Sequence, residues 1–439
     1  MADDATTVDA PRGEPVREIG LEVVDGPDKG LRLEPADKVI RIGSAEGNTL
    51  RLSDRQVSRF HVDITRSGTR IDVKDLDSTN GTFVGGARFR GATASVESGA
   101  VLRVGKNHLR VFDGETRVVP VRNSERLGGM LGTSKAMRDV MDRIETLAQR
   151  ETPVLFYGES GTGKEVSART LHAQSPRDGE PFITVDCGAV AANLFESTLF
   201  GHERGAFTGA SQQHLGAFER AGRGTLFLDE IGELRPEQQT ALLGVLERRE
   251  FVRVGGSRTL PFNGRVVAAT NRDLRADVNA GTFRLDLYYR LAIVTVELPP
   301  LRQRRDDIPL LLQHFIEEEG DPRPPKEVFG ESYASLLKHS WPGNARELRN
   351  IVAGALALGT VPELLSATPA PTEAEDGIRY DDLLQLPYKV AKAEVGNRLE
   401  RLYIEHLLGL SEGNVSRAAR LGQMNRTHLI DLMKKHQLR

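Results

Sequence analysis

One short segment restricts the fold of this chain more than any other. It is Gly158-Glu159-Ser160-Gly161-Thr162-Gly163-Lys164, which directly follows an apolar, strand-like run at 154–157. Glycines in such a turn let backbone N–H groups face phosphate oxygens, while the following helix N-terminus and a lysine add positive charge. The segment therefore predicts a phosphate-binding loop between a buried strand and a helix. Glu165 stands where Ser or Thr would normally ligate Mg²⁺.

The surrounding pattern agrees with that context. Apolar runs at 154–157, 182–185, 225–228 and 266–269 alternate with helical stretches such as 134–149 and 236–249. This alternation predicts a parallel α/β domain over residues 128–360, with a mostly helical lid after about residue 305.

An acid pair, Asp229-Glu230, ends the third apolar run. At the end of a buried strand, Asp229 would hold Mg²⁺ and Glu230 would polarise an attacking water. The alternative is a polar strand end that caps the next helix. Taken with the glycine-rich loop, the pair predicts ATP binding and hydrolysis.

The regions on either side differ in pattern. Short apolar stretches at 21–24, 39–42, 61–64, 71–73, 82–84 and 101–104, separated by turn residues, predict a β-sandwich over 17–115. We expect residues 1–16 to be a disordered tail, with linkers at 116–127 and 361–380. Residues 381–439 are predicted to be all-α.

Composition narrows the class of protein. Residues 385–439 carry ten Lys/Arg and five Asp/Glu, which suits either a nucleic-acid partner or a solvated basic helix. The single cysteine, Cys187, rules out an intramolecular disulfide, and we expect it to be a buried structural residue. No apolar run approaches the ~20 residues of a bilayer span. These features predict a cytoplasmic protein without a membrane segment.

Residues 128–360 resemble the AAA+ ATPase domain of bacterial sigma-54-dependent transcription activators. The most specific match is the GAFTGA sequence, Gly205-Ala206-Phe207-Thr208-Gly209-Ala210. One aromatic among small residues can be presented on a flexible loop, or it can fold into the core of an ordinary turn. The resemblance favours the loop and implies that residues 205–210 contact the sigma-54 factor.

The same resemblance assigns further roles. Asn271 matches the residue that senses the γ-phosphate, and Arg346 matches a lid arginine that approaches the phosphates. Arg284 and Arg290 match a region whose arginines reach the ATP of a neighbouring subunit, with Arg290 preferred as the finger and Arg284 as its partner. The resemblance thus implies a homo-oligomeric ring, hexameric when active.

One position departs from the family pattern. Asp186 stands where an Asn commonly restrains the catalytic Glu. An amide can donate a hydrogen bond to a carboxylate, whereas an ionised Asp cannot. We therefore hypothesise that the restraint on Glu230 is altered.

Residues 20–113 resemble a forkhead-associated domain through Val57-Ser58-Arg59-Phe60-His61 and Asp77-Ser78-Thr79-Asn80-Gly81-Thr82. The resemblance implies phosphothreonine binding, with Ser58 and Arg59 on the phosphate, Asn80 on the peptide backbone and His61 as a structural brace. The ligand would come from Ser/Thr kinase signalling. Ser44 replaces the usual phosphate-binding Arg, so a phosphate-independent docking or self-association domain remains an alternative.

The chain ends in a small-residue helix, a turn at Gly422 and a second helix from residue 425, which together resemble a Fis-type helix-turn-helix. The resemblance implies DNA contacts through Asn425, Arg426, Thr427 and His428 to base edges, and through Lys434 and Lys435 to phosphates. A helical oligomerisation hairpin is the alternative.

Together these features predict a multidomain, enhancer-binding transcription activator. It would bind upstream DNA, hydrolyse ATP with Mg²⁺ as a ring, and remodel the closed complex of sigma-54 RNA polymerase under control of the amino-terminal module. Two other classes compete with this interpretation. One is an AAA+ remodeller of a different client, and the other is a passive DNA-binding phospho-adaptor with an inactive nucleotide site.

Overall fold

A computed structural model of the protein describes residues 13–34, 39–67, 70–120 and 124–359. Near the carboxyl end it describes residues 400, 404, 407, 411, 415–421 and 424–436. The chain divides into two units, Met1–Leu365 and Ser366–Arg439. Within the described residues, no helix combines the length and apolar character needed to cross a membrane.

The amino-terminal domain is a sandwich of two sheets, with strand orders β2-β1-β11-β10-β7-β8 and β4-β3-β5-β6-β9. Side chains alternate between inward and outward positions, so residues such as Ile40, Ile42 and Ile64 fill a shared apolar core. Its strands are β1 (Gly13–Asp25), β2 (Arg32–Leu33), β3 (Val39–Gly43), β4 (Leu50–Arg51), β5 (Val62–Ser67), β6 (Arg70–Asp75), β7 (Thr82–Val84), β8 (Ala87–Phe89), β9 (Thr93–Val96), β10 (Val101–Val104) and β11 (Asn107–Pro120).

The sandwich extends further than the sequence suggests. Strands β1 and β11 continue pairing from Arg17↔Thr116 out to Gly13↔Pro120. Residues 13–16 and 116–120 are therefore strand, and do not belong to the tail and linker expected there. The sequence has no apolar alternation at these positions because the extension is a two-stranded ribbon beyond the core.

The central domain contains a five-stranded parallel sheet in the order β15-β18-β21-β14-β22. Its three central strands are buried apolar runs, as the sequence predicts, because helices cover the sheet, whereas the edge strands β15 and β22 are only partly buried. The elements in chain order are β12 (Arg126–Leu127), β13 (Met130–Leu131), α1 (Lys135–Ala148), β14 (Val154–Tyr157), α2 (Lys164–Ala173), β15 (Phe182–Asp186), α3 (Phe195–Phe200), β16 (Gly201–His202), β17 (His214–Leu215), α4 (Ala217–Ala221), β18 (Thr225–Asp229), α5 (Pro236–Arg248), β19 (Glu250–Val252), β20 (Thr259–Pro261), β21 (Arg265–Thr270), α6 (Leu274–Ala280), α7 (Leu285–Leu291) and β22 (Val294–Glu297).

The carboxyl ends of parallel strands share one edge of a sheet. This edge brings together the loop after β14, the acid pair after β18 and Asn271 after β21. A helical lid follows and is built around the buried Trp341. It consists of α8 (Ile308–Glu318), α9 (Pro325–Phe329), α10 (Tyr333–Lys338) and α11 (Asn344–Leu358).

The second unit contains helices α12 (Val415–Leu421) and α13 (Arg426–Lys435). Ile404, Leu407, Ala418, Ala419 and Leu429 form its apolar cluster. Both helices fall where the sequence predicts them. Most of residues 381–410, which the sequence predicts to be helical, and the turn at Gly422 lie outside the described residues.

Candidate active site

The glycine-rich loop joins β14 to α2 as expected. Gly161 has φ +76°, and a Cβ there would lie 2.3 Å from the carbonyl oxygen of Gly343, so only glycine fits. Lys164 is buried, and its Nζ donates to the carbonyls of Gly158 (2.9 Å) and Glu159 (3.3 Å). Burial lowers the pKa of Lys164, although the nearby carboxylates of Glu230 and Asp229 oppose this shift. The loop thus holds its cation inward, against its own backbone carbonyls.

The acid pair lies across from that lysine. An oxygen of Glu230 is 3.7 Å from Lys164 Nζ, and its other oxygen accepts the backbone N–H of Asn271 at 3.3 Å. Glu230 has φ +48°, a left-handed conformation that is strained for a side chain of this size. Burial raises the pKa of Asp229, and the charges of Glu230 and Asp186 raise it further. Strain and a perturbed carboxyl group at the same strand end are typical of catalytic sites.

Asp186 lies beside Asp229 in the register of β15 and β18. Its Oδ1 accepts the backbone N–H groups of Gly188 (2.9 Å) and Ala189 (3.1 Å). The carboxylate therefore caps the following turn, and its charge acts on Asp229. The next residue, Cys187, is buried, and burial raises the pKa of its thiol. This agrees with the structural role expected for it.

The lid contacts the glycine-rich loop through α11. Arg346 Nη1 donates to Ser160 Oγ at 2.7 Å. Asn344 is fully buried, and its Nδ2 donates to the Glu159 carboxylate (3.1 Å) and the Ser160 carbonyl (3.0 Å). Arg302 forms a bidentate ion pair with Glu159, with distances of 2.8 and 2.5 Å. The Glu159 carboxylate is thus the acceptor that holds the lid, and the assignment of this loop residue to the nucleotide stays a prediction.

An apolar cavity of about 190 Å³ adjoins the loop beside Gly163 and Thr162. Its walls come from the β13 region, α2 and α8, and they include Met130, Val166, Leu311 and Phe315. An apolar cavity next to a phosphate-binding loop suits a nucleobase. These wall residues carry no local motif, so sequence reasoning did not find them.

The two candidate finger arginines sit at opposite ends of α7. Arg284 precedes the helix and pairs with Asp286, with its Nε 3.0 Å and its Nη2 2.7 Å from the two carboxylate oxygens. This pairing raises the pKa of Arg284. Arg290 is exposed and has no hydrogen-bond or ion-pair partner in the part of the chain that the structure describes. Neither arginine bonds to Lys164, Asp229 or Glu230 within that part, and their role as fingers stays a prediction.

The segment 205–210 forms the tip of the hairpin β16–β17. A turn closed by the Gly205 N–H and the Ala210 carbonyl (2.8 Å) presents Phe207, which is 39% exposed. Its ring centroid lies 4.9 Å from that of His202, in an edge-on arrangement. Phe207 is thus on a loop surface and not in the core.

A second hairpin, β19–β20, supports the first and was not anticipated. Val254 pairs with His202, and a Cβ on Gly255 (φ +73°) would lie 2.7 Å from the Cβ of Ala206. Arg253, which directly follows β19 in the turn of this hairpin, bonds to Glu203 (2.7 Å) and Glu219 (2.6 Å). These contacts link the 205–210 loop to α4, which precedes the acid-pair strand.

The predicted phosphothreonine residues share one loop end of the sandwich. Ser58 Oγ accepts the Thr79 N–H at 2.9 Å, and Asn80 Nδ2 donates to the Gln56 carbonyl at 2.8 Å. His61 is buried between the Ser58 N–H (3.1 Å) and the Gly81 carbonyl (3.2 Å), so it braces the two loops as expected. Burial lowers the pKa of His61 and favours the neutral ring.

Comparison with known proteins gives the family. Residues 130–297 match the family described as Sigma-54 interaction domain, and residues 302–374 match the AAA+ ATPase lid domain. The transcriptional regulatory protein ZraR of Klebsiella oxytoca is 44% identical over 315 residues, which cover 70% of this chain and 69% of that protein. The chain belongs to the sigma-54-interacting family of AAA+ transcriptional regulators. Its central domain is therefore an AAA+ ATPase domain.

Two further matches define the extent of the similarity. ZraR of Escherichia coli O157:H7 is 44% identical over 283 residues, so the match spans 62% of this chain and 63% of that relative. NtrX from Brucella abortus, solved in complex with ATP, gives a TM-score of 0.50 at 33% identity and covers 71% of this chain and 70% of that one. Residues 22–115 match a different family, the cytoplasmic domain of an inner membrane component of the type III secretion system.

Magnesium fits the residues of this sigma-54-family site. Mg²⁺ is usually held by one or two carboxylates together with substrate phosphates and water. Asp229 supplies such a carboxylate, and the described residues contain no cluster of three or more His, Cys, Asp or Glu side chains arranged to bind a metal alone. Glu165 pairs on the surface with Arg169 at 2.7 Å, so it does not take the place of a Ser or Thr ligand.

In the carboxyl-terminal unit, the Asn425 side chain accepts the Thr427 N–H at 3.0 Å and so starts α13. Lys435, expected on a DNA phosphate, lies 2.7 Å from Glu400. The side chains of Arg426, His428 and Lys434 are outside the described residues. Their roles remain predictions in this family member.

Proposed function

We propose that this protein hydrolyses ATP as a ring and uses that energy to press the 205–210 loop against sigma-54 factor bound to RNA polymerase. The observation that carries the proposal is Phe207, an apolar side chain exposed at the tip of a hairpin that packs on the ATPase core. An exposed aromatic on a supported loop suits contact with a protein partner.

The catalytic assignment follows from the site. Lys164 and the loop amides bind the phosphates, and Asp229 holds Mg²⁺, which would neutralise charge on the transferring phosphoryl group. Glu230 orients and deprotonates the attacking water, and Asn271, whose N–H bonds Glu230, reports the γ-phosphate. Arg346 approaches the phosphates from the lid. Arg290, aided by Arg284, stabilises the transition state in the neighbouring subunit.

Force transmission is proposed to run through Glu219 and Arg253. Arg253 joins the base of the 205–210 loop to α4, and α4 leads directly into β18, which ends in the acid pair. A change in the bonds of Glu230 after hydrolysis would shift β18 and α4 and thereby reposition the loop.

Single-round transcription with sigma-54 RNA polymerase tests the proposal. We expect the wild-type chain to form open complexes only with hydrolysable ATP, and Lys164→Ala to abolish both ATPase activity and open complexes. Phe207→Ala should keep the ATPase activity but lose open complexes. A Phe207→Ala chain that still opens the promoter would refute the sigma-54 contact. ATP hydrolysis without any effect on sigma-54 promoters would instead favour a remodeller with another client.

We infer that the amino-terminal sandwich recognises a phosphothreonine segment through Ser58, Arg59 and Asn80. Ser44 lacks the usual guanidinium, but Arg51 Nε lies 3.2 Å from the Ser44 carbonyl and can supply positive charge at the same loop. Arg41 does not take this role, because it lines a cavity with Asp63 and Arg275. Titrating the full chain with paired phosphorylated and unmodified threonine peptides tests the inference, since equal affinity for both would contradict it.

We also propose that α12 and α13 form a DNA-binding helix-turn-helix that tethers the ring upstream. The basic excess of the carboxyl end and the Asn425-initiated helix support this role. Footprinting upstream of a responsive promoter should show protection that Thr427→Ala weakens. A chain without any salt-sensitive DNA affinity would favour an oligomerisation hairpin.

A further inference from the structure

The loop end of the sandwich is not free in this structure, because it packs on the ATPase domain of the same chain. Phe60 and Leu76 lie on sandwich loops but are buried within the apolar cluster of the ATPase domain. The Phe60 ring centroid is 5.1 Å from that of Tyr288 on α7. We call Arg59, Phe60, Asp63 and Leu76 the docking face.

A polar side chain of α6 matches the docking face closely. Asn279 Nδ2 donates to the carbonyls of Phe60 (2.5 Å) and Leu76 (3.2 Å), and its Oδ1 accepts the Phe60 N–H at 3.3 Å. One amide thus satisfies backbone groups from two different sandwich loops. Such paired recognition of backbone indicates a formed interface and not a chance approach.

An ion pair fixes the same surfaces. Arg275 on α6 forms two bonds to Asp63 on β5, with distances of 2.9 and 2.7 Å, and both side chains are largely buried. A buried guanidinium that loses its carboxylate is strongly destabilised, whereas the same group in water is not. The ion pair between Arg275 and Asp63 therefore stabilises the docked arrangement specifically.

The docking face lies next to both proposed ligand sites. Arg59, a predicted phosphate contact, uses its Nη1 to donate to the Val278 carbonyl at 3.4 Å. Arg59 and Arg284 line one open cleft of about 540 Å³. The Tyr289 hydroxyl, one residue from Arg290, donates to the Glu46 carbonyl of the sandwich. Helix α7, which directly follows Arg284 and contains Arg290, is thus held by loops at the end of the sandwich where phosphothreonine binding is proposed.

We propose that the loop end of the sandwich is a docking surface for α6 and α7 of the same chain, that docking restrains the finger arginines, and that a phosphothreonine segment displaces it. The inference rests on the proposed function. It adds that the docked sandwich represses the ATPase activity and does not stimulate it. A ring neighbour must reach Arg290, and the docked sandwich occupies the adjacent surface. A phosphothreonine at Ser58 and Arg59 needs the guanidinium and loop backbone that α6 now engages.

Two variants of the full chain weaken docking without touching the nucleotide site. Asp63→Asn removes the closer of the two carboxylate partners of Arg275, the other being Asp273 at 3.8 Å, and Asn279→Ala removes the amide that bridges the loops. Asp72→Asn is the matched control, because Asp72 bonds Ser95 on the sandwich away from the docking face. ATPase rate is measured against protein concentration, and affinity is measured for a pool of phosphothreonine peptides and its unphosphorylated counterpart. Binding of a fluorescent ADP analogue verifies that each variant is folded.

We expect Asp63→Asn and Asn279→Ala to reach half-maximal ATPase rate at several-fold lower protein concentration, and to bind the phosphorylated pool several-fold more tightly. Asp72→Asn should match the wild type. If the folded variants show the wild-type dependence of ATPase rate on protein concentration, docking does not restrain the finger arginines. If all chains bind the phosphorylated peptide pool with equal affinity, docking and phosphothreonine binding do not compete. Binding of the phosphorylated pool to no chain would refute the phosphothreonine assignment itself, while the ATPase comparison would still decide the restraint.

Discussion

Asp229 shows how burial and neighbouring charges set the pH range over which the ATPase site is active. Burial raises its pKa first, and the carboxylates of Glu230 and Asp186 add to the shift, while Lys164 opposes it. Asp229 must be ionised to hold Mg²⁺, so ATPase activity should fall as the pH drops through this raised pKa. The acid limb of the rate profile should therefore lie above the range of an ordinary Asp.

Asp186→Asn tests this coupling. An amide oxygen can still accept the Gly188 and Ala189 N–H bonds, but the negative charge beside Asp229 is lost. We expect the acid limb to move to lower pH by a fraction of a unit, because Asp186 is exposed and water screens its charge. ATPase rate measured against pH checks this shift, with the exposed, remote Asp178→Asn as control. Superimposable Asp186→Asn and wild-type profiles would remove the proposed coupling.

Sequence reasoning located the reacting groups here but not their arrangement. Lys164, Asp229, Glu230 and Asn271 follow strand ends, and parallel topology necessarily brings strand ends together. The left-handed backbone of Glu230 and the bond from Asn271 to its carboxylate depend on tertiary contacts. No local pattern encodes either feature.

The two hairpins β16–β17 and β19–β20 show how far secondary structure could be predicted from the sequence. The resemblance carried by the GAFTGA sequence predicted a loop that exposes Phe207, but it did not predict the hairpin β16–β17 that holds this loop. The supporting hairpin β19–β20 has strands of three residues each, too short for an apolar alternation to be recognised. By contrast, four of the five strands of the parallel sheet, as well as helices α1 and α5, were predicted nearly to their ends. The fifth strand, β22, was not predicted.

Arg253 should matter to the loop and not to hydrolysis. Arg253→Ala removes its bonds to Glu203 and Glu219 at the base of the 205–210 loop. We expect near wild-type ATPase activity with open-complex formation reduced about tenfold, which corresponds to roughly 1.4 kcal/mol of lost loop positioning. Arg258→Ala, an exposed change in the same hairpin, is the control. If Arg253→Ala lost ATPase activity and open-complex formation to the same extent, Arg253 would not act on the loop alone.

The contact between the lid and the glycine-rich loop depends on Asn344, which has φ +53°. Its side chain forms three hydrogen bonds, one of them from the Leu301 N–H at 2.7 Å. Asn344→Ala should destabilise the ATPase domain by about 3 kcal/mol, at about 1 kcal/mol for each lost bond. It should also weaken ADP binding, because the lid no longer holds Glu159 and Ser160. Thermal unfolding and ADP titration measure both effects. Asn350→Ala, exposed on the same helix, should change neither, and an Asn344→Ala chain as stable as that control would refute the assignment.

At the scale of the whole molecule, the proposed function requires that a neighbouring chain complete each ATPase site. Arg284 and Arg290 are exposed and make no bond to Lys164, Asp229 or Glu230 within the described residues, which agrees with our proposal that each finger acts on the site of a neighbouring chain. Loss of a finger arginine typically lowers the rate by about 10³–10⁵. Arg290→Ala and Lys164→Ala chains should therefore each be inactive alone, the first lacking a finger and the second lacking a phosphate site.

Mixing these two chains distinguishes action within a chain from action between chains. In a mixed ring, an Arg290→Ala chain with an intact site can receive the finger of a Lys164→Ala neighbour. Random equal mixing makes half of the sites intact and gives half of those a working finger, so about a quarter of the wild-type rate should return. The measurement is ATPase activity across mixing ratios, with a Lys164→Ala, Arg290→Ala double variant as the control partner that restores nothing. Mixtures that stay inactive at every ratio, while still forming rings, would show that Arg290 is not the residue that acts across the subunit boundary.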